Sequence, residues 1–170
     1  MRGTCALLWS GALLLSLLSG CSGGGADRTP EEWTELYQQA ITAHGGEMVE
    51  YNPVISAFDP EDGRASLALE SLGLEEEDVE AMGVSASVMN TQAYAIAAVL
   101  PVQGRESAVQ EALQGYIERQ QSSFEFYLPD QYQVAQDARL DTLEDGTVLL
   151  VMCSDADQVF QNIRGELESA

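Results

Sequence analysis

The 170-residue chain reads as an α+β protein: an N-terminal helix, then hairpin–helix–hairpin–helix, giving a four-stranded, mainly antiparallel sheet with helices on one face. Three observations predict this. Met82, Val84, Ala86 and Val88 alternate with Gly83, Ser85 and Ser87, the period-two pattern of a strand whose small residues suit close helix packing. Ala93 to Val102 is almost continuously apolar and reads as a central strand ending near Pro101. Asp145-Gly146 stands between Arg139–Leu143 and Thr147–Cys153, and an acidic residue followed by glycine between two such runs is a hairpin signal. Two strand–strand–helix units follow one another, with no internal sequence repeat between them.

The elements follow in order. Thr29-Pro30-Glu31-Glu32 opens a helix: Thr29 caps, Pro30 suits the first helical position and Glu32 completes a capping box. Trp33, Leu36, Tyr37, Ala40 and Ile41 form its apolar face, and Gly45-Gly46 ends it beside His44. Asn52-Pro53 and Asp59-Pro60-Glu61-Asp62-Gly63 mark turns, and Ala65 to Leu72 is a short helix. Glu75 to Asp78 is an acidic run on a solvated face or a first helical turn, and Asn90-Thr91 turns the chain after the first strand. A long helix opens at Gly104, with Ala108, Val109, Ala112, Leu113, Tyr116 and Ile117 buried. The aromatic run Phe124 to Tyr127 ends it, and Phe124, Phe126 and Tyr127 are expected either to plug the end of the sheet or, through Tyr127, to open a binding surface. Asp130 is expected to cap a short helix, and Ser154 or Asp155 a final one that buries Ala156, Val159, Phe160, Ile163 and Leu167.

The first residues read as a leader. Arg2 precedes an apolar stretch from Ala6 to Leu18, shorter than the ~20 residues of a membrane span. Leu18-Ser19-Gly20-Cys21 resembles the bacterial lipobox, which implies cleavage after Gly20 and a diacylglycerol on the Cys21 thiol. The expected organisation is a lipoprotein signal peptide over 1–20, a flexible linker over 21–28 and one extracytoplasmic domain over 29–170. Ser22 to Asp27 is Gly-rich and spans roughly 15 Å, so the domain is expected to sit close to the membrane that the lipid enters.

Composition limits the partners. The chain holds 28 acidic residues, seven arginines and no lysine, for a net charge of −21. Loss of residues 1–20 removes only Arg2 from this balance. Such a surface excludes nucleic acid and disfavours lying flat on anionic lipid. No intramolecular disulfide is expected, because Cys5 leaves with the leader, Cys21 carries lipid and Cys153 remains alone beside a buried strand.

No catalytic constellation emerges. A Ser-His-Asp triad would have to use His44, the only histidine, and a Ser-Lys pair is impossible. Gly83-Val84-Ser85-Ala86-Ser87 lacks the last glycine of a nucleophile elbow. There is no phosphate loop or dinucleotide fingerprint. The common zinc sites lack ligands, and no metal or other cofactor is expected. Asp59, Glu61 and Gly63 faintly suggest a calcium loop, but the twelve-residue ligand pattern is missing and a plain turn is expected. Paired carboxylates, alone or with His44, are a catalytic option left open.

Ser87-Val88-Met89-Asn90, Ala93 to Ala97, Tyr127-Leu128-Pro129-Asp130-Gln131-Tyr132 and Leu149 to Cys153 resemble domain-of-unknown-function family 4358, small lipoproteins of Firmicutes. The resemblance implies a Gram-positive envelope and an extracytoplasmic site, and it implies no activity. The expected function is a non-enzymatic binding or accessory protein, held on the membrane by lipid on Cys21 and meeting an envelope protein or a surface polymer. The alternative is a small carboxylate-based hydrolase or an accessory to a surface-polymer O-acyltransferase system. Tyr127, Asp130, Gln131 and Tyr132 form the candidate interaction surface, because two tyrosines with polar neighbours gather at a proline-marked corner.

Overall fold

The computed structural model describes residues 28–170, so the leader, Cys21 and nearly all of the linker lie outside the described residues. The described residues are α+β, with six α-helices and one four-stranded antiparallel sheet. Helix α1 spans Pro30–His44, α2 Met48–Tyr51, α3 Gly63–Leu72, α4 Glu106–Phe124, α5 Pro129–Gln136 and α6 Ala156–Ser169. The strands are β1 Val79–Ala86, β2 Ala95–Pro101, β3 Arg139–Thr142 and β4 Val148–Met152, in the order β1-β2-β4-β3.

Local chemistry sets the boundaries. The capping box of α1 is present: the Glu32 amide donates to Thr29 Oγ1 at 3.3 Å and the Thr29 amide to Glu32 Oε2 at 2.7 Å. The acids before α3 act on backbone. Asp59 accepts from the Glu61 amide, while Asp62 caps the helix through the Arg64 and Ala65 amides. Gly73, at φ 75°, closes α3 in the left-handed region, and Gly146, at φ 92°, makes the β3–β4 turn. Within the acidic run, Glu76–Asp78 forms a short 3-10 turn whose last member, Asp78, is buried against Arg105. Asp130 does not cap α5. Pro129 takes the first helical position, which makes Leu128 the cap residue, without a side-chain bond. Asp155 sits at the N-cap of α6, also without a side-chain bond.

The expected placement of the helices on one face is overturned. Met82, Val84, Ala97, Val99, Val148 and Leu150 point to one side of the sheet, where α3, α4 and Ala135 of α5 cover them. Ala81, Ile96, Ala98, Leu149 and Val151 point to the other, covered by Trp33, Tyr37 and Ile41 of α1 and Phe160, Ile163 and Leu167 of α6. The sheet is the middle of three layers. The cause is visible in β2 and β4, whose alternate side chains are all apolar, as strands covered on both faces require. Helix α1 approaches β1 closely at Gly83, where an added Cβ would stand 2.8 Å from Tyr37 Cβ.

The strand directions define two poles. Ala86, Ala95 and Met152 are aligned at one end of the sheet, and Val79, Val99 and Val148 lie toward the other. Tyr37 of α1 reaches Thr147, beside the β3–β4 turn, with 2.7 Å between the oxygens, while Gly45 beyond the C-terminus of α1 lies against Ile96 and Val49. The start of α1 is therefore at the β3–β4 turn pole and its end is toward the β1–β2 loop pole. Arg28, two residues before α1, lies over the Trp33 ring at the start of that helix, so the described chain begins at the turn pole.

Candidate functional site

The β1–β2 loop pole gathers three segments. Residues 87–94 form the loop itself. Gln92 Nε2 donates to Met48 Sδ at 3.2 Å, and Ser85 Oγ donates to the Asn52 carbonyl at 2.6 Å, which ties α2 to the loop. Because that bond uses the serine proton, Tyr94 donates its own hydroxyl proton to Ser85 Oγ, 3.0 Å away. On the opposite side the Ala93 amide donates to Gln131 Oε1 at 2.8 Å and ties the α4–α5 corner to the loop.

The four predicted surface residues part company here. Gln131 is spent on the loop amide, and Tyr132 is half-buried against the core. Asp130 and Tyr127 are exposed. The aromatic run divides as well: Phe124 is buried and plugs the core, whereas Phe126 and Tyr127 are 81% and 83% exposed. The reason is geometric. The chain turns after α4, so only Phe124 stays on the helix face that meets the sheet, while the next residues lie at the corner.

Sequence reasoning missed the other members of this pole. Tyr51 is 75% exposed and Met89 60%, with Val88 also exposed. Five of the seven large exposed hydrophobic side chains of the described residues, Tyr51, Val88, Met89, Phe126 and Tyr127, thus belong to segments joined by direct hydrogen bonds. The signal was the apolar Val88-Met89 pair inside a turn. Alternation drew Val88 into a strand that in fact ends at Ala86.

A second feature is an open groove of roughly 900 Å³ between α1, α2 and the segment after it, with Glu35, Gln38, Gln39, Thr42, Glu50 and Val54 on its walls. Glu35 and Glu50 are both exposed. His44 does not face it as a base. Its Nε2 lies 2.7 Å from Glu166 Oε2 and joins α1 to α6. Cys153 is half-buried, and burial pushes its thiol pKa up, away from the reactive thiolate. Among the described residues no group of three or more His, Cys, Asp or Glu side chains is placed to hold a metal ion, and no helix is long and apolar enough to cross a membrane.

Among the described residues the six arginines are all engaged. Arg28 lies over the Trp33 ring at 4.9 Å, and Arg64 donates to Asn52 Oδ1 at 3.4 Å. Arg119 donates to the Ser71 carbonyl at 2.8 Å. Arg105 is paired with Asp78, Arg139 with Asp157 and Arg164 with Glu168. The uncompensated surface charge is acidic.

The family described as a domain of unknown function, DUF4358, matches residues 58–153, more than half of the chain, and the chain belongs to it. No curated protein and no solved structure matches. The matched span holds the whole sheet with α3, α4 and α5, while α1 and α6, which cover the other face, lie outside it.

Proposed function

We propose that the chain is an exported lipoprotein, anchored through Cys21 to the outer face of the cytoplasmic membrane, whose domain binds another component of the cell envelope and performs no catalysis. The observation that carries the reading is Leu18-Ser19-Gly20-Cys21, placed between an apolar stretch and a Gly-rich spacer. The arrangement of the domain supports it. Chain entry lies at the turn pole and most of the exposed apolar side chains lie at the other, so a short tether leaves the apolar pole directed away from the bilayer. Growth with labelled palmitate tests the anchor. The intact chain takes up label and stays with membranes, whereas Cys21→Ser does neither. Equal behaviour of the two proteins contradicts the proposal.

A carboxylate-based hydrolase is the second reading, favoured by one observation: Glu35 and Glu50 both line the groove beside α1. A glycosidase-type acid must hold its proton in an apolar, desolvated setting. Here Glu50 is open to solvent and the walls are rich in amide and hydroxyl groups, which favours binding over proton transfer. Hydrolysis of a cell-wall polysaccharide that disappears in Glu35→Gln and Glu50→Gln would reverse this preference.

A further inference from the structure

We infer that the pole formed by α2, the β1–β2 loop and the α4–α5 corner is the docking surface, and that its partner is a protein segment carrying apolar side chains flanked by lysine or arginine. This rests on the binding reading above and names its site and partner chemistry. Tyr51, Val88, Met89, Phe126 and Tyr127 expose apolar surface there, while the other two large exposed hydrophobics, Leu67 and Val102, stand elsewhere on α3 and after β2. An exposed apolar cluster rimmed by polar groups is the signature of a protein interface, and aromatic side chains dominate such contacts.

Charge selects the occupant. Residues 47–51, 87–94 and 124–132 contain Glu47, Glu50, Glu125 and Asp130 and not one Lys, Arg or His. These four acids are exposed. Of the arginines nearest this pole, Arg64 is held by Asn52 and Arg139 by Asp157. A second copy of the chain would bring a net charge of −21 against the same charge, and an anionic polymer or anionic lipid would be repelled in the same way. A basic protein segment gains from both the apolar contacts and the acidic rim, the pattern by which complementary interfaces steer and select partners.

The test uses the full chain inserted in phosphatidylcholine vesicles and a fluorescein-labelled helical peptide of Leu, Trp and Lys, followed by anisotropy near physiological salt. The expected results are saturable binding by the native chain, no binding of the analogue with Glu for Lys, and at least about a tenfold weakening in Met89→Ser/Phe126→Ser/Tyr127→Ser. Leu67→Ser/Val102→Ser should bind as the native chain does. Equal loss in both variants, or loss in neither, overturns the inference, because the attraction would then belong to the net charge and not to the pole. If the triple variant unfolds, Tyr127→Ser alone carries the comparison. The peptide titration does not need the anchor. A chain that takes up no palmitate but still binds through this pole in free solution would retain the docking surface and lose only the membrane address.

Discussion

Three buried tyrosines should make this fold fail in alkali, over a pH range that can be named in advance. Burial raises the hydroxyls of Tyr94 and Tyr116 to about 12, and raises that of Tyr37 as well, partly offset by its bond to Thr147. A raised acid pKa means that the folded chain holds a proton the unfolded chain releases, so stability falls as pH climbs. The stabilisation is complete below the unfolded value near 10 and drains away as pH rises toward the folded values. Each such group removes about 1.4 kcal/mol per pH unit between its two pKa values, so three remove about 4. Against a total stability of about 5–15 kcal/mol, half or more of the fold's margin is gone by about pH 12.

This chain is unusually suited to the experiment because it has no lysine. Tyrosine and Cys153 are therefore the side chains left to titrate in the described domain across the alkaline range below arginine. Urea unfolding at successive pH values gives the slope of stability, and absorbance near 295 nm reports tyrosinate formation. Tyr116→Phe is the informative variant, since burial is the main cause of its shift and Arg119 opposes it. Removing this one hydroxyl should lower the slope from about 4 to about 3 kcal/mol per pH unit. Stability that stays flat from pH 9 to 12, or a slope untouched by Tyr116→Phe, would refute the assignment of the alkaline limb to buried tyrosines.

Other perturbations follow from single contacts. Gly83→Ala drives a methyl to 2.8 Å from Tyr37 Cβ and 3.1 Å from its backbone carbon, neither of which can rotate away. It should cost about 2–3 kcal/mol by overpacking and lower Tm by at least about 4 °C in a thermal melt. Tyr37→Phe strands the fully buried Thr147 hydroxyl and should cost about 1–3 kcal/mol, while Tyr37→Phe/Thr147→Val recovers part of it in a double-mutant cycle. Gln131→Ala leaves the buried Ala93 amide without its acceptor, at about 1–2 kcal/mol, and hydrogen exchange should rise in residues 87–94 more than in β4.

The elements were legible wherever a short-range device sets them. Thr29-Pro30-Glu31-Glu32 announced α1, Asp145-Gly146 the last hairpin and the period of Val109, Leu113, Tyr116 and Ile117 helix α4. What failed was the layering, although its signal was present. Ala95 to Val99 and Val148 to Met152 are buried at every position, and a strand that is apolar at consecutive positions is covered on both sides. The candidate surface was half legible. The corner after α4 was found from its composition, but which of its residues face outward depends on how the chain turns around Phe124. The contribution of Tyr51 and Val88-Met89 depends on long-range bonds, Ser85 to Asn52 and Gln92 to Met48, that no local pattern encodes.

Helix α1 then acquires a second role beyond covering apolar surface. The family-matched span, residues 58–153, holds a sheet with helices on one face; left there, Ile96, Ala98, Leu149 and Val151 would meet water. Burying them requires α1 and α6. The direction of α1 over the sheet is set by contacts that are hard to reverse: Tyr37 seated on Gly83 with its hydroxyl at Thr147, and Gly45 against Ile96. Those contacts place residue 28 at the turn pole. A lipid on Cys21, seven residues upstream, would then hold that pole toward the bilayer and leave the loop pole free. The packing that closes the core and the proposed presentation of Phe126 and Tyr127 to an outside partner therefore depend on the same helix.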